Sequence, residues 1–302
     1  MNWVDATPSS RSRPVDSAGV SSSLIAVGHA LDATHLRIAT ELFYATAVPA
    51  LIREIAEILR PCGIPIMPLK GALLQRWVYG TRVFRPLSDV DVLVPPARFD
   101  EARAALRAVG FTVEREEQGG WEVALRRPEG LLEIDLHRRL SSTVRSGLRA
   151  EDLFARGRHD TTLFRTDVVL PDPRDLYSHL LLHLTLNWLA RGSLHHPEDL
   201  EAAPAALGLT PEGMVHHLAC VGLEVHAALM LPHVSAAVTG AFSSRLYAAL
   251  SPGRVTRLKV TAARMLSADT APGTLARRMA GIVVAPSWLE AGRDALAKRL
   301  TL

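Results

Sequence analysis

Two aspartates separated by one apolar residue, Asp89 and Asp91, are the residues of this sequence best suited to chemistry. They lie in the segment LSDVDVLV, and a third acid, Asp135, lies in the segment LLEIDLHRRL. Side chains alternate between the two faces of a strand, so Asp89 and Asp91 are expected on the same face. Two like charges in an otherwise apolar strand repel each other and lose hydration. A bound cation offsets both effects, and the pattern predicts a metal site, the plain alternative being an exposed strand face or turn.

The segment around Asp135 leaves the identity of the third acid open. Glu133, Asp135 and His137 alternate with two apolar residues, so all three polar residues fall on one face of the strand. Either acid suits a metal ligand, and the other then suits a hydrogen-bonding partner of that ligand. His137 fits three roles: it orients a carboxylate, contacts a substrate, or is an ordinary strand-end histidine.

The types of ligand favour magnesium. Mg²⁺ prefers carboxylate oxygens together with phosphates and water. The two cysteines, Cys62 and Cys220, are far apart and show no CxxC spacing, so neither a thiolate zinc site nor a disulfide framework is indicated. A cytoplasmic protein is therefore the default expectation. No apolar run approaches the roughly 20 residues that span a bilayer, so no membrane association is expected.

Strands and helices interleave over the first half of the chain. Helical periodicity covers residues 24–59, with a break or a new helix at Pro49. The turn at Lys70-Gly71 separates a buried strand from a short apolar helix. The predicted strands are IPIMPL, DVDVLV, FTVERE, WEVALRR and GLLEIDLHRRL, and the predicted helices between them are ALLQRWVY and ARFDEARAALRAVG.

Beyond Pro171 the sequence changes to helical periodicity alone. We therefore predict three parts: a mobile N-terminal arm at 1–22, an α+β core with N-terminal helices at 23–150, and an all-helical domain for substrate or partner at 151–302. The arm is predicted from its Ser, Pro and Ala content and its lack of hydrophobic periodicity.

The amino-acid composition narrows the fold class and the class of partner further. Aromatic residues make up 5% of the chain, while Ala, Leu, Val and Arg dominate, which favours a helix-rich protein over an all-β one. The net charge of +3 arises from arginines mixed with acids rather than from one basic block. A nucleic-acid partner is thus unlikely, whereas a small anionic ligand fits.

The motifs taken together resemble a known family. The segments LKGALLQRWVYGTRVFRPLSDVDVLV and EIDLHRRL are similar to the uncharacterised nucleotidyltransferase family of the DNA polymerase β-like superfamily. The family pattern is a Leu-Lys-Gly turn, an Arg shortly before an Asp-x-Asp strand, and a later strand ending in Asp-Leu-His. The matching positions are Leu69, Lys70, Gly71, Arg85, Asp89, Asp91, Asp135, Leu136 and His137.

This resemblance implies an enzyme with the nucleotidyltransferase fold, a small mixed β-sheet flanked by helices and followed by an all-helical C-terminal region. It implies two Mg²⁺ ions, a nucleoside triphosphate such as ATP, and transfer of a nucleoside monophosphate to a hydroxyl. Asp89 and Asp91 would bridge both ions. Asp135, preferred over Glu133 by its position in the family pattern, would hold the ion that activates the acceptor.

The same resemblance assigns the phosphates to the Lys-Gly turn. Gly71 lets backbone N–H groups approach an anion, and Lys70 and Arg85, with Arg82 behind them, offset phosphate charge. Solvated surface cations are the plain alternative for these three residues. The wider superfamily usually has Gly-Ser or Gly-Gly in this turn, whereas this chain has Ala72 after Gly71, so one phosphate donor is missing and Lys70 would replace it.

Several polar residues of the helical region remain candidates for the site. His179, His183 and Asn187 recur at four-residue spacing and share one helix face, which suits packed or cleft-lining histidines better than a zinc site. Of these, His183 is kept as a possible substrate contact. Arg174 and His179 also fit the Arg-x₄-His spacing of helical ribonuclease-like domains, and Asp199 is a candidate for the cleft.

The leading hypothesis is a Mg²⁺-dependent nucleotidyltransferase whose acceptor is a small metabolite, a peptide or a protein. One alternative is a degraded nucleotidyltransferase that binds nucleotide or a partner without turnover, suggested by the Lys-Gly-Ala turn. Another is a toxin–antitoxin type of nucleotidyltransferase module, suggested by the helical C-terminal region.

Overall fold

A computed structural model of the chain describes residues 33–80, 87, 89–117, 119–141, 146–267 and 274–285. The predicted arm at 1–22 and the predicted phosphate-binding residues Arg82 and Arg85 lie outside these residues. Contacts divide the chain after Ala45. Among the described residues, the first unit holds the start of helix α1, where the rings of Phe43 and Tyr44 meet edge to face at 5.2 Å. All other described elements belong to the second unit.

Helix α1 extends over Ala33–Leu59 and continues through Pro49, where the sequence predicts a break or a new helix. The helix ends where the sequence predicts, at Pro61-Cys62-Gly63: a 3₁₀ turn follows it, and Gly63 adopts a left-handed conformation with φ 64°. Glycine reaches this conformation without the steric conflict that a Cβ brings.

Five strands form a mixed sheet: β1 (Met67–Pro68), β2 (Asp89–Leu93), β3 (Thr112–Glu116), β4 (Glu122–Arg126) and β5 (Glu133–His137). Their order in the sheet is β1-β2-β5-β4-β3, and all neighbours are antiparallel except β2 and β5, which are parallel. This arrangement and the flanking helices confirm the predicted fold class.

The alternation in β2 and β5 separates an apolar face from a polar one. Val90, Val92, Ile134 and Leu136 have no exposed surface, so their face of the sheet belongs to the core. The acids occupy the opposite face.

The remaining elements of the α+β part connect and extend this sheet. Helix α2 (Lys70–Leu74) follows β1 directly and continues into a π-helical turn, and α3 (Phe99–Ala108) follows β2. Helix α4 (Ala150–Arg156) leads into a hairpin that the sequence did not predict, β6 (Arg158–Asp160) and β7 (Val168–Leu170). The hairpin joins the sheet region, since the N–H of Val169 donates to the carbonyl of Ile66 at 2.8 Å.

The predicted helical region is all-helical beyond Pro171 in the described residues. Its helices are α5 (Pro173–Arg191), α6 (Glu198–Leu207), α7 (Pro211–Cys220), α8 (Glu224–Ala237), α9 (Phe242–Leu250), α10 (Arg254–Ser267) and α11 (Leu275–Val284). Helix α5 is central, because it contacts α2 beside the sheet as well as α6, α7, α8 and α11. The predicted division at residue 150 falls at the start of α4 and stays a prediction. Within the described residues, no helix combines the length and apolar character needed to cross a membrane.

Candidate active site

The site begins with two aspartates side by side in the middle of the sheet. Asp91 on β2 and Asp135 on β5 are direct partners in the parallel register. Asp91 is only 5% exposed to solvent and Asp135 only 6%. Asp89, two residues earlier on the same face of β2, is less buried and lines an open cavity of about 270 Å³. The three acids predicted to bind metal therefore share one face of the sheet.

One oxygen of Asp91 contacts two nitrogen atoms, one from Lys70 and one from His137. The ammonium of Lys70 donates to Asp91 Oδ1 at 2.5 Å, and His137 Nε2 lies 2.9 Å from the same oxygen. Burial alone would raise the pKa of Asp91, but the charge and hydrogen bonds of Lys70 and His137 hold that pKa far below its usual range. Asp91 is thus ionised at any physiological pH.

Lys70 reaches Asp91 from an unusual backbone conformation. Its φ is +40°, in the left-handed region that residues other than glycine rarely adopt. The position is fixed by the turn from β1 into α2, where the N–H of Leu69 donates to the carbonyl of Asp91 at 3.0 Å. Burial disfavours the charged ammonium, but the charge and hydrogen bond of Asp91, together with the charges of Asp89 and Glu122, outweigh it and raise the pKa of Lys70. Strained backbone of this kind concentrates at functional sites.

Asp135 lies in a more negative environment than Asp91. Its burial, together with the charges of Glu122 and Asp91, raises its pKa to about 7. Arg115 Nη2 provides partial compensation at 3.4 Å from Asp135 Oδ1. The surplus of negative charge is what a divalent cation would neutralise.

Glu122 is a further acid of the site that the sequence reasoning missed. It opens β4 opposite His137 in the antiparallel register, and its residue is 7% exposed. Its Oε2 lies 3.3 Å from His137 Nδ1, so the imidazole stands between the carboxylates of Glu122 and Asp91. The signal was present in WEVALRR, whose alternation places Glu122 and Ala124 on one face, but the pairing of β4 with β5 is needed to bring that face to the site.

Glu133, the alternative third ligand, stands apart from the central cluster. Among the described residues, Asp91, Asp135 and His137 are the group whose ligand atoms lie within 4.8 Å of one another. The side chain of Glu133 is 26% exposed and faces Arg115 Nη1 at 4.0 Å. The local geometry therefore favours Asp135 over Glu133 as the acid beside Asp91.

The cavity above the acids is bounded by the sheet region on one side and the helical region on the other. Lys70, Gly71, Leu87 and the two acids of β2 line the first side. His183, Asn187, Arg191, His195 and His196 line the second. The sequence candidates Lys70, Gly71 and His183 thus meet Asp89 and Asp91 around one space.

A smaller neighbouring cavity of about 40 Å³ shares Lys70 and His183 and also contacts Asp199. Asp199 is buried and accepts a hydrogen bond from the Tyr79 hydroxyl at 2.6 Å. The sequence candidate Asp199 therefore lies beside the site without joining the carboxylate cluster.

Arg174 and His179, the Arg-x₄-His pair of the sequence, have different surroundings in the structure. Arg174 is exposed and forms two hydrogen bonds with Asp172, at 3.0 and 3.1 Å. His179 is buried, and both of its ring nitrogens lack a hydrogen-bond partner in the described part of the chain. Its burial and the nearby Lys70 charge place its pKa well below the usual value. His179 therefore packs as a neutral residue close to Lys70.

Comparisons with solved structures give weak likenesses to nucleotidyltransferases. ANT(2'')-Ia in complex with adenylyl-2''-tobramycin is 16% identical, with 54% of this chain and 91% of that chain covered and a TM-score of 0.40. An antigenic nucleotidyltransferase-like protein from Paracoccidioides brasiliensis is 14% identical, with 54% and 76% covered and a TM-score of 0.36. The Thermotoga maritima CCA-adding enzyme complexed with tRNA is 10% identical, with 82% and 81% covered and a TM-score of 0.25. Likenesses at this level carry no argument about substrate.

The family comparison is decisive. No curated protein sequence matches the chain significantly. The model of the family described as uncharacterised nucleotidyltransferase matches residues 33–231, which is more than half of the chain and includes every described residue of the site. The chain therefore belongs to this family and is a nucleotidyltransferase.

Proposed function

We propose that the protein transfers a nucleoside monophosphate from a nucleoside triphosphate to a hydroxyl group, using two Mg²⁺ ions held by Asp89, Asp91 and Asp135. The observation that carries the proposal is the adjacent buried pair Asp91–Asp135, with Asp89 beside it at the wall of a cavity of about 270 Å³.

The donor set suits magnesium. Three carboxylates on one sheet face supply the oxygen ligands that Mg²⁺ prefers. Burial and the negative charges of Glu122 and Asp91 raise the pKa of Asp135 to about 7, and a bound divalent cation would offset these negative charges. Bound Mg²⁺ would stabilise the attacking and leaving oxygens of the reaction.

The transfer requires few covalent changes. The acceptor oxygen forms a bond to the α-phosphorus, the bond from that phosphorus to the β-bridging oxygen breaks, pyrophosphate leaves, and the hydroxyl proton is released to water. Catalysis of this kind depends on positioning and on charge.

The other residues of the site position the reactants. Lys70 lines the cavity beside Asp91, so its ammonium is within reach of both that carboxylate and a phosphate. His137 would hold Asp91 in one orientation, as imidazoles near metal ligands commonly do. Gly71 lines the same cavity, and His183 faces it from the helical region, where it would contact substrate. Arg82 and Arg85 are proposed to assist the phosphates on the strength of the sequence alone.

We further propose that the acceptor is a small metabolite, a peptide or a protein, because the mixed charge of the chain does not favour a nucleic acid. ATP as donor and a cytoplasmic location likewise stay predictions.

The test is pyrophosphate release from each of the four nucleoside triphosphates with Mg²⁺, comparing the wild type with a double variant, Asp89→Asn plus Asp91→Asn. A matched control is Asp167→Asn, which removes an exposed acid paired with His159. We expect release from the wild type and the control, and a loss of at least about 100-fold in the double variant. Release at the wild-type rate in the double variant would exclude this site.

A further inference from the structure

A row of polar side chains extends along α5 towards its carboxyl end. His183, Asn187 and Arg191 follow one another at four-residue spacing, so they lie along one helix face. All three line the cavity of about 270 Å³ opposite Asp89 and Asp91, and so do His195 and His196 in the loop after the helix. These five residues are called the helical wall below.

The helical wall is held in place at its exposed end. Gly192 ends α5 with φ 78°, and its N–H donates to the carbonyl of Trp188 at 2.8 Å. Arg277 Nη1 donates to the same carbonyl at 3.0 Å. His196 has φ 56°, a left-handed conformation that residues other than glycine rarely adopt. Backbone fixed in this way is common where a ligand is bound.

Arg191 gives the helical wall its positive charge, whereas His196 is paired with Glu198, with Nδ1 3.0 Å from Oε1. Arg191 is exposed, and no carboxylate lies within ion-pair distance of it in the part of the chain that the structure describes. The acids that line the cavity are Asp89 and Asp91, on the opposite side. Once these two acids hold metal ions, Lys70 and Arg191 are the charged side chains left among the described residues that line the cavity, and the space suits an anion.

We propose that the helical wall binds the β- and γ-phosphates of the nucleoside triphosphate, with Arg191 as the principal anchor. This inference rests on the proposed function, which places the α-phosphate beside Asp89 and Asp91. The two remaining phosphates then extend into the cavity, past Lys70 and towards α5. The guanidinium of Arg191 can hold two phosphate oxygens at once.

The dimensions agree with this assignment. His183 and Arg191 are separated by two turns of α5, about 12 Å along the axis, which is ample for two phosphate groups. The carboxyl end of a helix repels anions through its dipole, so a phosphate here needs a cation such as Arg191 to bind.

The experiment measures the affinities of three ligands by calorimetry in the presence of Mg²⁺: the tightest-binding nucleoside triphosphate, its monophosphate, and inorganic pyrophosphate. Wild type is compared with Arg191→Gln, and with Arg245→Gln as a control that removes an exposed arginine from α9. We expect Arg191→Gln to lower the affinities for the triphosphate and for pyrophosphate about 10-fold or more, since it removes charge-assisted hydrogen bonds. The affinity for the monophosphate stays at the wild-type value, and Arg191→Lys recovers part of the loss.

Either of two outcomes overturns the inference and leaves the proposed function standing. In the first, Arg191→Gln binds triphosphate and pyrophosphate as tightly as the wild type does. In the second, its affinity for the monophosphate falls by the same factor as its affinity for the triphosphate. A wild-type protein that binds no triphosphate with Mg²⁺ overturns both proposals together. Equal losses in Arg191→Gln and Arg245→Gln would show a general charge effect and also overturn the inference.

Discussion

At the scale of single residues, His137 lies between two carboxylates and positions them relative to each other. Its Nε2 lies 2.9 Å from Asp91, and its Nδ1 lies 3.3 Å from Glu122. The ring is 2% exposed, so it cannot turn to solvent when one partner is removed. Alternation placed Asp91 on the polar face of its strand and both Glu133 and Asp135 on the polar face of theirs, and only the family resemblance favoured Asp135 over Glu133. Glu122 was not predictable, because its role arises from pairing between β4 and β5.

We expect Glu122→Gln to weaken binding of Mn²⁺, a spectroscopic substitute for Mg²⁺, by about 10- to 100-fold, because loss of this carboxylate frees the imidazole that orients Asp91. The measurement is a Mn²⁺ titration followed by electron paramagnetic resonance. Glu129→Gln, at an exposed position, is the control and should bind as the wild type does. Equal affinities in the two variants would show that Glu122 has no positioning role.

At the scale of elements, the helical character of the chain beyond Pro171 was predictable because hydrophobic periodicity is a local signal. The structure adds the bounds of α5: Asp172 caps its start, Pro173 opens it and Gly192 ends it. The β6–β7 hairpin escaped prediction because its strands have three residues each and show no clear alternation. The left-handed backbone of Lys70 also escaped, since a Lys-Gly pair suggests that the glycine takes the unusual conformation.

The first prediction at this scale concerns the start of α5. The side chain of Asp172 accepts a hydrogen bond from the N–H of Arg174 at 2.9 Å. We expect Asp172→Ala to lower the free energy of unfolding by about 1 kcal/mol in denaturant titrations. Asp172→Asn, which keeps a capping oxygen, should lose less.

The same residue gives a pH dependence with a defined sign. Burial would raise the pKa of Asp172, but the side chain and N–H of Arg174 outweigh it and lower that pKa. A lowered pKa in the folded state stabilises the protein above the ordinary pKa near 4, and this stabilisation is lost as the pH falls through the folded value. The difference in unfolding free energy between wild type and Asp172→Asn should therefore shrink below about pH 4. A difference that grows on acidification would contradict this account.

The second prediction at this scale concerns the junction of α4 and β6. A Cβ on Gly157 would lie 2.5 Å from Val169 Cγ1 and 3.0 Å from the carbonyl oxygen of Leu153. We expect Gly157→Ala to lower the free energy of unfolding by about 1 to 3 kcal/mol, because the backbone oxygen cannot give way. Gly253→Ala is the control, since nothing lies within 4 Å of its added Cβ. Equal stability of the two variants would show that the junction has room to adjust.

At the scale of the whole molecule, a buried acid connects α4, α5 and α7. Asp175 has no exposed surface and receives two hydrogen bonds from Arg156, at 2.8 and 3.0 Å. His217 Nε2 lies 3.0 Å from the same carboxylate. The fold class itself was predictable from the order of motifs along the chain, whereas this connection was not, because its three residues are far apart in sequence and belong to no motif.

We expect Asp175→Ala to lower the free energy of unfolding by about 2 to 3 kcal/mol, because it removes two charge-assisted hydrogen bonds from Arg156, whose 39% exposed side chain is then solvated. Asp152→Ala, which removes the partly exposed partner of the exposed Arg149, should change stability by less than about 1 kcal/mol. Urea titrations of both variants provide the comparison. A small effect at Asp175 would show that the helical region does not depend on this connection.

The central claim is that Asp91 and Asp135 together bind the divalent cation that nucleotide transfer requires. Its most direct test is a Mn²⁺ titration with a non-hydrolysable nucleoside triphosphate present, comparing the wild type with Asp91→Asn plus Asp135→Asn. Our account predicts Mn²⁺ binding to the wild type and its loss in the double variant, with the fold intact by circular dichroism. A folded double variant that binds Mn²⁺ as tightly as the wild type would contradict it.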